Sequence, residues 1–438
     1  MVPDGKDRPD DPRHAARSVV EADPRAALPR RPACIRHRAA AGDDEIEEQA
    51  RGIGTAGGHP INGVLATCRI ELQRILSLRP AFSVLILAAC IYAALYPQPY
   101  RGEALRDVPI ALVDLDGTDS SRQFARRVDA SADVSIGAEL PDEPSAEREV
   151  FGRQLYGILV IPKYFERDLL HGRPSPVALY ADASYFLIYS RISGGVSAVA
   201  KTFGAEVETA RLVAMHVDPA VAAAASDPMP LTTVPLFNPQ GGYATYLLPA
   251  AFVLLLQQML LIGVGLLGTL RNDGLAGSPA GALATVLGKL LAYLVLEAVV
   301  LPFYLIVLPY LYDIPRLGGP LIIFAVSLPF VLSVSALGMV VAALFRNPLT
   351  VQLVFAAIGI PFLFLAGFSW PTEAMPKALQ YLALLVPSSS AINGIVSVSQ
   401  LGAPLSDVRT PFLTLWALAL FYGCLAVGLE VRMRRSHH

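Results

Sequence analysis

Residues 243–270 read YATYLLPAAFVLLLQQMLLIGVGLLGTL, without one charged side chain. A bilayer core needs about 20 consecutive apolar residues in helical form, so this stretch is long enough to cross one. Comparable apolar stretches lie at about 286–312, 318–345, 349–368 and 412–431. A sixth, AFSVLILAACIYAALY at about 81–96, precedes them and is short for a full crossing. The whole 438-residue chain shares this character: 53% of it is hydrophobic, only 16% is charged, and mean hydropathy is +0.48. Soluble domains carry about 25% charged residues. The expected fold class is an α-helical membrane protein with six transmembrane helices, one before and five after a polar segment of about 140 residues.

Positive charge beside the spans orients them. Arg69, Arg74 and Arg79 precede the first span, Arg271 follows the second, Arg346 the fourth, and Arg432, Arg434 and Arg435 the sixth. All eight fall on one side if both termini are cytoplasmic, and the opposite short loops offer only Arg316, Lys377 and Arg409. The expected topology is therefore multi-pass, with both termini cytoplasmic and residues 98–240 outside.

Four segments follow. Residues 1–60, rich in Arg, Pro, Asp and Ala, show no apolar periodicity and read as a disordered tail. The alternative is that translation begins further downstream. No apolar core of a signal peptide lies near the start. Residues 61–97 form an amphipathic lead-in, VLATCRIELQRILSLRP, able to lie on the membrane surface, and the first span. Residues 98–240 read as an inserted α/β extracytoplasmic domain. VPIALVDLD and YGILVIPKYF have the apolar runs of buried strands, SPVALYADAS suits a third, and SSRQFARRVDAS and 189–215 suit helices. Residues 241–435 hold the other five spans.

Several chemistries are tested and set aside. The stretch VPIALVDLDGTDSS (108–121) resembles the start of a haloacid-dehalogenase-type phosphatase, with Asp114 and Asp116 at a strand end. No second acidic pair for Mg²⁺, which prefers octahedral oxygen coordination, follows in the outer segment. The plainer reading is a strand, a turn at Gly117, and a helix capped by Ser120 or Ser121. GALATVLGKLL has Gly288-Lys289 but lacks the remaining residues of a phosphate-binding GxxxxGK[ST] loop. Neither CxxC nor HExxH occurs, so no metal site is expected. The net charge of -2 gives no reason to expect nucleic acid as a partner.

Glu297 stands eight residues past Lys289, roughly 12 Å deeper in its span. Intramembrane carboxylates face a cavity or a polar partner. Gln257 and Gln258 in the neighbouring span are candidates for that partner. A neutral Glu297 bonded within the bundle is an equal alternative to a transport role.

A family resemblance lies in the second half. FNPQGGYATYLLPAAFVLLLQQMLLIGVGLLGTLRNDG (237–274) resembles the second membrane helix of type-2 ABC exporter permeases. FLAGFSWPTEAMPKALQYLALLVPSSSAINGIVSVSQLGAPLSDV (364–408) resembles their fifth helix and re-entrant outer hairpin, here near 369–390. The resemblance assigns an outer gate to Gly367, Phe368, Pro371, Glu373, Met375 and Pro376, followed by a break at Pro387. It assigns coupling to an ATPase to Arg271, Asp273 and Gly274, which keep part of the family's acidic stretch, while the coupling helix after it is shortened and glycine-rich; Arg271 and Asp273 equally suit ordinary interfacial charges. VPIALVDLD…YGILVIPKYFERDLLHG…ALYADAS resembles the outer domain of the subgroup with a large insertion between helices one and two.

The resemblance implies a permease subunit that moves an unidentified substrate outward and is not itself an enzyme. It implies a separate ABC ATPase subunit carrying ATP and Mg, so no cofactor is expected on this chain. It also implies a homodimer or a pairing with a related permease, and a periplasmic adaptor protein against the outer domain. The rival readings are an ATPase-independent scaffold or receptor that displays the outer domain, and the phosphatase.

Overall fold

The computed structural model describes residues 60–102, 104–239, 241–270 and 281–436. Helix α1 (Pro60–Ser77) leads into α2 (Arg79–Tyr100), the first of six helices long and apolar enough to cross a membrane. Pro80 near the start of α2 is preset for a first helical turn. A first turn from Arg79 and a closing 3₁₀ turn at Gln98–Tyr100 carry α2 beyond the 81–96 read from the sequence, and a π turn at Ser83–Leu87 interrupts it.

The chain then builds an α/β domain. Its elements are β1 (Val108–Asp114), α3 (Asp119–Asp129), β2 (Val134–Glu139), α4 (Glu143–Phe151), β3 (Gly157–Ile161), α5 (Phe165–Leu170), β4 (Ala178–Ala181), α6 (Phe186–Ala214) and α7 (Pro219–Ser226). The sheet order is β2-β1-β3-β4, with β2 and β3 parallel to β1 and β4 antiparallel to β3. One face meets α3 and α6, where Ile110, Leu112 and Leu159 pack with Phe124, Val128, Ile192 and Phe203. The other face carries Ala111, Val113, Ile158 and Val160, packed with Ala146 of α4. Strands buried on both faces need unbroken apolar runs, which is why β1 and β3 read as they do. The cap of α3 is Thr118 and not Ser120 or Ser121. Its hydroxyl accepts from the Ser121 amide at 3.3 Å, and the Ser121 hydroxyl accepts from the Thr118 amide at 2.9 Å.

The remaining helices are α8 (Tyr243–Thr269), α9 (Ala282–Leu311), α10 (Pro320–Phe345), α11 (Pro348–Leu365), α12 (Lys377–Ala383), α13 (Pro387–Ser399) and α14 (Arg409–Arg435). Of these, α8, α9, α10, α11 and α14 are the other five span-length helices; α12 and α13 meet at 80°. Helix α9 also contains a π turn, at Phe303–Val307. From within it, the Tyr304 hydroxyl donates to the Ala89 carbonyl of α2 at 2.6 Å.

Helix α1 buries one side against the bundle and leaves Ile61, Leu65 and Leu76 of the other exposed. Thr67, Glu71 and Arg74 recur at helical spacing on one side, and all three are buried. Gly288 of α9 opens the seat, since a Cβ there would stand 2.6 Å from the Val64 carbonyl oxygen and from Thr67 Cβ. The near match to a phosphate-binding loop at 288–289 is thus a helix contact.

Candidate functional site

Among apolar helices, the polar side chains that are buried mark the constrained places, because each must be bonded or cost free energy. They gather at both ends of α8 and near its middle.

At the C-terminal end of α8, Arg74 donates from Nη2 to the carbonyls of Leu267 (3.0 Å) and Leu270 (2.8 Å), and from Nη1 to Glu71 Oε2 (2.9 Å). A cation suits the last, unpaired carbonyls of a helix. Glu71 Oε1 accepts from the Tyr293 hydroxyl of α9 at 2.6 Å. Glu71 is 1% exposed and Arg74 6%. The three side chains therefore lock α1, α8 and α9 together. At the same end, Arg434 of α14 donates to Thr285 Oγ1 of α9 at 2.8 Å and to Glu430 at 3.0 Å. The network of Glu71, Arg74 and Tyr293 was not singled out from the sequence, where Arg74 counted only as an orienting charge. The signal present was an acid and a base three residues apart on one side of an amphipathic run. Arg271, Asp273 and Gly274, just beyond α8, lie outside the described residues.

At the N-terminal end of α8 stands the segment 366–400. Gly367 has φ +83°, and a Cβ there would stand 2.6 Å from Thr372 Cγ2, so both conformation and space require glycine. The Phe368 carbonyl accepts from the Tyr246 hydroxyl of α8. Pro371 opens a single 3₁₀ turn, in which the Thr372 hydroxyl donates to Glu373 Oε1 at 3.1 Å. Met375 is buried, and its carbonyl accepts from Gln380 Nε2 at 2.9 Å. Pro376 precedes the first residue of α12, and Pro387 occupies the first position of α13.

Ser388, Ser389 and Ser390 at the start of α13 are all buried. Gln257 Nε2 donates to Ser388 Oγ at 3.0 Å, Ser389 Oγ donates to the Leu365 carbonyl at 3.0 Å, and Gln400 Nε2 donates to the Thr245 carbonyl at 2.7 Å. Helix α13 therefore runs antiparallel to α8, with its start roughly 18 Å further along α8 than its end. Phe368 meets Tyr246 and Gln400 meets Thr245, so the segment enters and leaves at one end of α8.

Glu297 does not join the glutamines in a hydrogen bond. Gln257 is taken by Ser388, and Gln258 Nε2 donates to the Phe355 carbonyl of α11 at 2.8 Å. Glu297 is 5% exposed, and its Oε2 has no partner; Gln257 Oε1 and Ser335 Oγ are also unpartnered.

The α/β domain joins the bundle at the hairpin end. Tyr96, Tyr100, Tyr243 and Tyr246 form a ladder with successive ring centroids 6.0, 5.9 and 6.1 Å apart. Arg191 of α6 donates to Asp133 Oδ1 at 3.2 Å and to the Gly241 carbonyl at 2.7 Å, beside the entry to α8.

The carboxylates of the 108–121 stretch brace their own turn. Asp114 Oδ1 accepts from the amides of Asp116 (3.0 Å) and Gly117 (2.9 Å), and Oδ2 from Ser121 Oγ (2.6 Å). Asp116 Oδ2 accepts from Thr118 Oγ1 (2.6 Å) and the Glu166 amide (3.0 Å). Burial pushes the Asp116 carboxyl up, but the Thr118 hydroxyl and the amides of residues 164–166 outweigh it and hold the group below its ordinary value.

Residues 80–427 match the family described as ABC-2 family transporter protein. The matched region takes in nearly all of α2, the α/β domain, and the bundle into α14. The chain is also similar to the linearmycin resistance permease protein LnrN of Bacillus subtilis (strain 168). Identity is 22% over 368 residues, covering 79% of this chain and 93% of that protein.

Proposed function

Because the chain belongs to the ABC-2 transporter family and is a permease, a membrane subunit of an ABC transporter, we propose that it forms the outward path of an exporter in the bacterial inner membrane. The observation that carries this reading is the family match, which runs unbroken through the spans and the hairpin. Membership implies an ATPase partner, which binds ATP and Mg on its own chain. The name of the Bacillus relative, a resistance permease, supports outward movement of a noxious compound. In this reading both termini and the arginine-rich helix ends are cytoplasmic, and the α/β domain is extracytoplasmic. A second copy or a related permease completes the path, and a periplasmic adaptor meets the outer domain.

The mechanism follows from the two ends of α8. ATP-driven closure of the ATPase dimer loads the segment of Arg271, Asp273 and Gly274. Arg74 clamps the adjacent end of α8 to α1, so α1, α8 and α9 tilt as a unit. At the far end the same tilt draws Thr245 and Tyr246 from the hairpin, and nearer the middle it draws Gln257 from Ser388. Gly367, Phe368, Pro371, Glu373, Met375 and Pro376 form the turn that gives way as the outer gate. Glu297 and Gln257 supply buried polar groups beside the path. The permease provides a route and no chemistry.

The test is purification from native membranes in mild detergent, with mass spectrometry of what co-purifies. The expected result is a stoichiometric chain bearing GxxxxGK[ST]. Repeated recovery without such a chain, under conditions that keep a known exporter intact, would overturn the reading in favour of the scaffold.

A further inference from the structure

The two faces of the sheet are covered unequally. Helices α3 and α6 pack on one face, whereas the other carries the nine-residue α4, packed against β1 and β3. A helix is about 10 Å across and strands lie about 4.8 Å apart, so one helix covers about two of four strands. Tyr180 of β4 pairs directly with Ile158 of β3 and so shares its face. Ile158 is buried beside α4, but Tyr180 is 55% exposed. Between α4 and β4 runs a groove of about 480 Å³ whose apolar lining is Val150, Phe151, Ile158, Tyr180 and Ala181. Phe151, at the end of α4, is 81% exposed. Glu143, Glu147 and Asp182 stand on its walls against one base, Arg153.

Exposed aromatic side chains of this size anchor interfaces, and rim charges select the partner. We propose that this groove is the docking seat for a helix of a partner protein, one with an apolar stripe flanked by Lys or Arg. The stripe would cover Ile158, Tyr180 and Phe151 as a second helix on that face, and the bases would face Glu143, Glu147 and Asp182. The proposal rests on the exporter reading only for the side of the membrane on which the partner is met.

The experiment places photoreactive p-benzoylphenylalanine at position 151, 180 or, on the α6 side, 206 in the full chain in its native cells. Mass spectrometry maps the cross-linked peptide. The expected result is adducts from 151 and 180, not from 206, to one polypeptide segment with the stated basic and apolar pattern. Combining Glu143→Gln with Glu147→Lys should lower the yield from 180 about tenfold at unchanged expression. The proposal is overturned by adducts to lipid alone, to a second copy of this chain or to an acidic segment. It is equally overturned by no adduct, or by a yield indifferent to the charge change. Co-purification of an ATPase from the same cells is scored separately. An ATPase without an adduct removes the groove and keeps the exporter; an adduct without an ATPase does the reverse.

Discussion

The two ends of α8 are fastened by different chemistry. At its C-terminal end a buried ion pair, a tyrosine hydroxyl and two helix carbonyls hold α1, α8 and α9. From its N-terminal end to its middle the hairpin is tied by uncharged groups, Tyr246 to Phe368 and Gln400 to Thr245 at the end and Gln257 to Ser388 near the middle. Removing one partner of a buried ion pair strands a charge and costs about 3–5 kcal/mol. A neutral hydrogen bond is worth about 1 kcal/mol net. The difference teaches which end can let go. Opening at the hairpin breaks neutral bonds one by one, whereas opening at α1 would have to separate two opposite charges among apolar helices.

The sharpest way to break this contrast is Glu71→Ala, which leaves Arg74 buried without its carboxylate. It should destabilise the purified protein by about 3 kcal/mol, read as a lower midpoint in detergent-denaturant unfolding. A loss no larger than that of a hairpin variant would erase the distinction between the ends. Next in size is Gly288→Leu, which drives a side chain into the Val64 backbone and should cost roughly 2 kcal/mol by the same measurement.

The hairpin variants should barely move the midpoint and act on access instead. Tyr246→Phe removes the bond to the Phe368 carbonyl, worth about 1 kcal/mol. In a Met375→Cys background it should raise the rate of labelling by an impermeant maleimide about fivefold, since 1.4 kcal/mol is a factor of ten. An unchanged rate would mean that this bond does not hold the hairpin closed.

The smallest effect belongs to the α/β domain. Asp116 has a folded-state pKa below its ordinary value. Its contribution is therefore fully present above the unfolded value of about 3.9 and is lost as pH falls through the lower folded value. Asp116→Asn should narrow the drop in stability between neutral and strongly acidic pH. Parallel curves for the two proteins would show that the carboxylate contributes nothing there.

Much of this contrast was not legible in the chain itself. The span-length helices were, because an apolar run of that length shows whether it faces lipid or other helices: the largely buried α8 occupies 243–269 against 243–270 read from the sequence. Strands β1 and β3 were legible for the related reason that both their faces are buried. Strand β2 was missed because VSIGAE is an edge strand, half exposed, with a glycine and a glutamate in its short run. The burial of Glu71 and Arg74 was missed because they look like surface charges until the carbonyls of α8 are brought to them. The pairing of Glu297 with Gln257 or Gln258 failed because helix rotation turns one amide to α13 and the other to α11. Spacing along a chain says nothing of that rotation. The glycine at 367 could be read from a motif, but its positive φ and the Thr372 methyl behind it could not.

The π turns at Ser83–Leu87 and Phe303–Val307 bear on how variants of this chain are to be interpreted. Each takes in about one residue more than an α-helical turn, so residues beyond it are offset by roughly 100° from an uninterrupted helix. A helical wheel drawn straight through α2 or α9 therefore mixes two phases. Deleting one residue inside either turn would restore a plain α-helix and rotate everything beyond it. In α2 that would carry the buried Ala89 and Ala93 out of the interior and part Ala89 from the Tyr304 hydroxyl. A single deletion there should do more harm than most substitutions nearby, although it removes only one apolar residue among many.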